Sequence, residues 1–307
     1  MRYLERKLDT NSAQVCNADK SPSLQKIDEI LKNGFIILDK PCGPSSMEVV
    51  AHVKTILGLE KAGQSGTLDP ETSGILLITT ENACKTMPLL QGMEKEYITV
   101  MHAHKDFNDD VLYGIVKKFV GTISQVPPVK SAVKRVERKR KVKEIQILDR
   151  NGKDIVLRVV CQAGTYIRKL IDDMGKEIGG AHMKELRRIR VGPFLEDESH
   201  TLQDLKDSFV NYQEKKDENI REIVLPIEYS LRKAKIIVVK DSAIPNIKNG
   251  SPLYSVGVSH ISENIKEKDT VALVSCEGFL FAIGVVLSDA QEVVKKKVVA
   301  AKVDRVM

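Results

Sequence analysis

Strand-like and helix-like segments follow one another along this chain without a repeated strand–helix–strand unit, and that order most narrows what it can fold into. FIILD (35–39) is a compact apolar strand, stopped by Lys40-Pro41 and Gly43-Pro44. Ser45 stands three residues before Glu48, which marks a capping box. Val49, Val53, Ile56 and Leu57 then follow at helical spacing as far as Gly58. ILLIT (75–79), YITVMHAH (97–104) and IVLRVVC (155–161) read as further strands. Ile167, Leu170, Ile171, Met174 and Ile178 mark an amphipathic helix ended by Gly179-Gly180. The fold class expected is α+β, a mixed and largely antiparallel sheet with flanking helices, and not a doubly wound one.

The organisation expected is three-part. Residues 1–33 read as a polar extension with one short amphipathic segment, SLQKIDEILKNG; 34–224 form the main domain. DSFVNYQEKKDENIRE (207–222) is polar and charged and Leu225-Pro226 punctuates it, so the boundary is placed there. In 225–307 the short strands KIIVVK, DTVALVS and FLFAIGVVLS lie between turn-rich stretches, as in a small β-barrel able to fold separately.

Composition excludes several classes. No apolar run is long enough to span a bilayer, and MRYLERKLDTNSAQ has no apolar core of an export signal, so a cytoplasmic protein is expected. Cys16, Cys42, Cys84, Cys161 and Cys276 are isolated and odd in number, which argues against a disulfide framework or a structural zinc. The six histidines are scattered, so no metal site is expected. The net charge of +6 is modest, but VKSAVKRVERKRKVK (129–143) holds Glu137 as its only acid among eight lysines and arginines. Such a run either attracts phosphates and releases their counterions or is a solvated basic loop. With no Trp and 5% aromatics, a broad base-stacking surface is excluded.

GQSGTLDPETSG (63–74) is the stretch with most chemical content. Glycines flank Asp69, so a ligand can approach the backbone closely, and Pro70 biases Asp69 away from helix. Alone, this is also what an ordinary Asp-Pro turn looks like.

The chain resembles the TruB/dyskerin family of pseudouridine synthases, most closely the archaeal catalytic subunits of H/ACA ribonucleoproteins. The resemblance runs in order through GFIILDKPCGPSS, KAGQSGTLDPETSG, KEYI, QVPPVKSAVKR and CQAGTYIRKLIDDMGKEIGGAHMKELRRIRVGPF. A segment from Leu225, LPIEYSLRKAKIIVVKDSAIPNIKNGSPLYSVGVSH, looks like the start of a PUA domain. The resemblance implies an isomerase that converts uridine to pseudouridine in tRNA or rRNA, with no metal or organic cofactor. Asp69 matches the family nucleophile, and a carboxylate can form an ester-like adduct and then leave. Tyr97 matches the tyrosine that packs on the target base and is implicated in proton transfer. Arg168 matches the arginine that pairs with the aspartate, keeping it ionised and aimed. Tyr166 and Leu186 match residues that line the pocket for a base drawn out of its stack. Gln64, Lys130, Arg138, Lys139 and Arg140 are expected to touch the RNA. Read without the family, Tyr97 and Tyr166 are ordinary core tyrosines and Arg168 a surface helix residue.

The chain departs from the family at Gln64 and Met47, where histidines are usual, and in lacking the proline after ILL, where Ile78 stands. The lysine-rich ends of eukaryotic dyskerins are absent, which favours an archaeal source. Partners implied are RNA, including an H/ACA guide RNA, and small proteins of the Nop/Gar/L7Ae type. Two rival classes stand beside the active synthase: a catalytically dead RNA-binding scaffold, which loss of the carboxylate or arginine would mark, and a base-removing glycosylase, which free uracil would reveal. Within the first, a stand-alone tRNA enzyme competes with the guided mode.

Overall fold

The computed structural model describes residues 3–5, 25–127 and 134–307. In chain order the strands are β1 (Tyr3–Glu5), β2 (Gly34–Lys40), β3 (Ala62–Ser65), β4 (Ser73–Thr80), β5 (Lys95–Ala103), β6 (Gly121–Gln125), β7 (Arg138–Asn151), β8 (Asp154–Cys161) and β9 (Ala181–Val191). They continue with β10 (Phe194–Leu195), β11 (Leu225–Pro226), β12 (Ile236–Val239), β13 (Leu253–Tyr254), β14 (Val258–Ser262), β15 (Thr270–Val274), β16 (Leu280–Val286) and β17 (Val299–Val306). The larger sheet runs β11-β2-β4-β9-β5-β8-β7-β6, with β3 paired to β4 and β10 to β9. Among the described residues β4 and β9 pair in parallel, Ser73 opposite Arg187 and Gly74 opposite Arg188, and the other strand pairs of this sheet are antiparallel. The expected α+β class holds.

Alternation along β2 and β4 divides two cores. Ile36, Leu38, Leu76 and Ile78 meet the helix Ser46–Leu57 through Val49, Val50, Val53 and Leu57. That helix starts and stops where local signals place it. Ser45 accepts from the Glu48 amide at 3.2 Å, Glu48 accepts from the Ser45 amide at 2.7 Å, and Gly58 closes the end at φ 64°. On the other face, Phe35, Ile37, Ile75 and Leu77 share one cluster with Phe194, Ile227 and Leu231, and also with Val238, Ala272 and Leu280 of the second sheet. The strands β5, β7 and β8 bury a third face against the helix Ile167–Lys176 through Ile167, Leu170, Ile171 and Met174.

The smaller sheet runs β1-β14-β12-β15-β16-β17-β13, with register breaks at Val238/Val239, Leu273/Val274 and Ile283/Gly284 that curl it. Three features depart from the expected division of the chain. First, β1 lies in the segment read as an extension, yet it pairs Tyr3 with Ser262 and Glu5 with His260, adding an edge to the C-terminal sheet. Further along that segment, the helix Ile27–Lys32 buries Ile27, Ile30 and Leu31 in the main core. Second, most of the charged stretch used to place the boundary is in the helix Leu202–Lys215, which buries Leu205 and lays Phe209 and Tyr212 against the same core. Its apolar residues fall three and four apart, so one stripe suffices to dock a helix that is otherwise charged. Third, Leu225 and Pro226 pair with Phe35 and Gly34, so the change of sheet falls between Pro226 and Ile236 and not at residue 225. The two sheets share an apolar seam, in which Val238, Ala272 and Leu280 of the C-terminal part join Phe35, Ile37, Ile75 and Leu77.

Candidate active site

The glycine-rich stretch forms the connection from β3 to β4, and backbone groups from Leu68 to Thr72 are tied down. Ser46 Oγ accepts from the Leu68 amide and donates to the Leu68 carbonyl, both at 2.8 Å. The Gly43 amide donates to the Pro70 carbonyl at 2.9 Å, and the Thr72 amide to the Asp69 carbonyl at 3.0 Å. That last bond closes a four-residue turn with Pro70 in its second place, where a fixed φ is favourable. Leu68 is therefore buried, only 4% exposed, in a cluster with Tyr97 and Ile167, while the next side chain, Asp69, is 62% exposed. A buried anchor beside an exposed carboxylate is how this loop presents Asp69.

Two buried cations hold the loop from below. Lys40 is fully buried and donates through Nζ to the carbonyls of Pro41, at 2.7 Å, and Pro70, at 3.3 Å. Burial pushes its pKa down, opposed by the nearby Cys42 and Asp69. Arg188, 1% exposed, donates to the carbonyls of Ile75, at 2.8 Å, and Gly66, at 2.9 Å. The parallel register sets Arg188 against Gly74, which has φ +102°; a Cβ there would run into the Arg188 carbonyl, so only glycine fits.

Arg168 lies in the first turn of the helix Ile167–Lys176. One of its terminal nitrogens is 3.5 Å from Asp69 Oδ2 and 3.0 Å from Glu71 Oε2, so the guanidinium is shared between two carboxylates. The sequence reading named Asp69 alone. Tyr97 stands on β5 opposite Arg188, beneath Leu68. Burial pushes its phenol pKa up, and the adjacent Arg188 guanidinium opposes the rise. Leu186 lies two residues before Arg188 on β9, hence on the same face, and packs against the cluster of Tyr97 and Leu68. Tyr166 begins the helix of Arg168. The buried Gln125 side chain clamps its backbone, accepting from the amide at 3.0 Å and donating to the carbonyl at 3.1 Å.

The remaining expected contacts are placed differently. Gln64, on β3, donates to Thr67 Oγ1 at 2.9 Å, and its Oε1 is buried with no partner. Met47 is 69% exposed beside Ser46. Lys130 lies outside the described residues. From Arg138 onward the basic run is strand β7, a correction to the loop considered for it: Lys139 and Lys141 are exposed, and Arg138 and Arg140 half-buried. Arg140 is committed within the protein, donating to the Gly164 carbonyl at 3.0 Å in the turn that leads to Tyr166. Sequence reasoning missed Glu71, Arg188 and Gln125, and treated Lys40 only as a strand end. For Arg188 a signal existed, since it shares strand parity with Leu186. For Gln125 there was none.

Fold and site together define a two-sheet enzyme that presents two exposed carboxylates, Asp69 and Glu71, on one turn beside a shared arginine. Residues 54–167 match the TruB family pseudouridylate synthase N-terminal domain and 168–232 the tRNA pseudouridylate synthase B C-terminal domain. Residues 235–307 match the PUA domain, and 6–50 the DKCLD (NUC011) domain. A probable tRNA pseudouridine synthase B of Methanocaldococcus jannaschii is 42% identical over 306 residues, covering 99% of this chain and 90% of the relative. One of Archaeoglobus fulgidus is 43% identical over 308 residues, covering 99% and 94%. Among solved structures, a chain of a Cbf5–Nop10–Gar1 complex superposes with a TM-score of 0.92 at 39% identity, covering 99% of this chain and 93% of that one. A chain from an H/ACA ribonucleoprotein bound to a substrate RNA containing 2'-deoxyuridine gives 0.87 at 37%, covering 99% and 94%. The chain belongs to the TruB family: it is a pseudouridine synthase of the TruB/Cbf5 type, an isomerase acting on RNA.

Proposed function

We propose that Asp69 is the nucleophile of this isomerisation and that the protein works as the catalytic subunit of an archaeal, cytoplasmic H/ACA guide ribonucleoprotein. The observation that carries the first part is the presentation of Asp69, exposed at a turn locked by Leu68 and Ser46, with Arg168 Nη2 at 3.5 Å. In this reading the Asp69 carboxylate forms a covalent adduct with the uridine, and the glycosidic C1'–N1 bond breaks. The freed base stays in the pocket, turns, and rejoins C1' through C5 as the bond to Asp69 breaks and the carboxylate leaves with its electron pair; the C5 proton then leaves and N1 gains one. Leu186 supplies an apolar wall, and Tyr166 is held at the mouth of the site by the Gln125 clamp. Tyr97 stays protonated near neutrality, because its phenol pKa is raised, and can therefore donate as well as pack on the base.

The guided mode draws on two superposable structures, a Cbf5–Nop10–Gar1 complex and an H/ACA ribonucleoprotein bound to substrate RNA. Its partners would be a guide RNA and small proteins of the Nop/Gar/L7Ae type, with the PUA domain gripping the guide. Stand-alone action on the tRNA T-arm is the second reading, favoured by the tRNA synthase names of the relatives. Incubating the chain with tRNA and rRNA transcripts, with and without guide RNA and partner proteins, and mapping pseudouridine at single-base resolution separates the two. Modification only at guide-specified uridines is expected. Failure to modify any of them in the complete assembly would reject guided action, and release of free uracil would reject isomerisation.

The exposed lysines of β7 are assigned to RNA phosphates. Replacing Lys139 and Lys141 by Ala is expected to lower the slope of log affinity against log salt by roughly 1.5–2 units, while the rate at saturating RNA holds. Filter binding across a salt series measures it. An unchanged slope would place the RNA elsewhere.

A further inference from the structure

Arg168 faces two carboxylates, and the closer is not the one assigned to the chemistry. Glu71 Oε2 is 3.0 Å from the guanidinium nitrogen that stands 3.5 Å from Asp69 Oδ2. The two acids are fixed two residues apart on one turn. The Thr72 amide bonds the Asp69 carbonyl, and Cys42 Sγ donates to the Glu71 carbonyl at 3.3 Å. The Glu71 side chain is 78% exposed, and Arg168 is its salt-bridge partner. An acid so exposed adds nothing to the core, and a negative charge facing an RNA site opposes phosphate binding.

We propose that Glu71 is a positioning residue for the isomerisation: it holds Arg168 beside Asp69 and takes up part of its charge, leaving Asp69 free to attack. This rests on the reading of Asp69 as nucleophile. A carboxylate in a close pair with arginine has its charge drawn to the guanidinium, and part of that attraction is given up when an oxygen bonds to carbon. Here the guanidinium keeps a permanent counter-ion in Glu71, so it stays in place while the Asp69 contact lengthens. Without Glu71, the half-exposed Arg168 either closes onto Asp69 or swings into solvent, and both arrangements lower the rate.

The test uses the full chain with its RNA and compares single-turnover rate at saturating RNA with RNA affinity. It covers Glu71→Gln, Glu71→Asp, Arg168→Lys, the Glu71→Gln/Arg168→Lys double variant, and Asp69→Asn. Glu71→Gln is expected to slow turnover roughly two- to fivefold, the scale of one exposed ion pair, at unchanged or tighter RNA affinity. Glu71→Asp, which keeps the charge, should recover part of the loss. In the Arg168→Lys background Glu71→Gln should add little, because its effect runs through Arg168. A wild-type rate in Glu71→Gln, or a loss fully additive with Arg168→Lys, would overturn the proposal. So would tighter binding with no change in rate, which assigns Glu71 to phosphate repulsion alone. Turnover retained by Asp69→Asn would instead remove the nucleophile reading, whatever Glu71 does. An inactive Asp69→Asn beside an unaffected Glu71→Gln removes only Glu71.

Discussion

Asp69→Asn is expected to reduce pseudouridine formation by more than ~10³-fold, a barrier increase of about 4 kcal/mol, with RNA affinity nearly unchanged. The substitution keeps size and polarity and removes the nucleophilic charge. The bonds that shape the turn are made by the Asp69 carbonyl, the Leu68 backbone and the Pro70 carbonyl, and none uses the Asp69 side chain. The loop should therefore stand as before, and a missing covalent step leaves little room for compensation. Single-turnover rates on a modified transcript, with affinity measured in parallel, decide it. Residual turnover within about tenfold of the unaltered chain would sink the assignment.

The second large effect concerns the C-terminal sheet. A fragment ending at residue 224 is expected to unfold or aggregate rather than survive as an isolated catalytic domain. Phe35, Ile37, Ile75 and Leu77 pack in a cluster completed by Ile227, Leu231, Val238, Ala272 and Leu280, all beyond the cut. The cut also removes β11, which covers the edge of β2 at Phe35 and Gly34. Partial exposure of four such side chains, at ~1.5–3 kcal/mol for each one fully exposed, is comparable to a whole domain's stability of ~5–15 kcal/mol. Urea unfolding of the soluble fraction is the measurement. A fragment that unfolds cooperatively near the midpoint of the full chain would show that the shared seam is dispensable. Loss of guided activity on truncation thus reports lost folding as well as lost RNA contacts, so variants on the surface of the C-terminal sheet are the cleaner probes of guide binding.

How much of this was readable in the chain depends on the distance over which each signal acts. The helix Ser46–Leu57 was legible to the residue, because a capping box and a left-handed glycine operate within four positions. The presentation of Asp69 was half legible: Pro70 makes the turn, but the burial of Leu68 that leaves Asp69 outside depends on Ser46, 22 positions away. The charge of 207–222, used to place the boundary, hid a helix, because the stripe that docks Leu202–Lys215 is only Leu205, Phe209 and Tyr212. The basic run was judged by composition, and composition carries no strand parity. Only pairing with β6 and β8 shows that Lys139 and Lys141 point outward while Arg140 turns back to Gly164.

By itself the sequence determined the family and the elements with strong local signals, among them β2, the helix Ser46–Leu57, β4 and β5, since hydrophobic period, caps, Gly-Pro punctuation and ordered motifs are local properties of the chain. Tertiary structure alone decided which cations are buried and which acids share an arginine. Arg188 meets Ile75 across 113 positions, and Arg168 meets Asp69 across 99 and Glu71 across 97. It also decided that the first strand of the chain belongs to the last sheet. Such contacts follow from strand register, above all the parallel pairing of β4 with β9 that sets Gly74 against Arg188. Register is chosen by the burial of whole sheet faces at once, and no short stretch of residues encodes it.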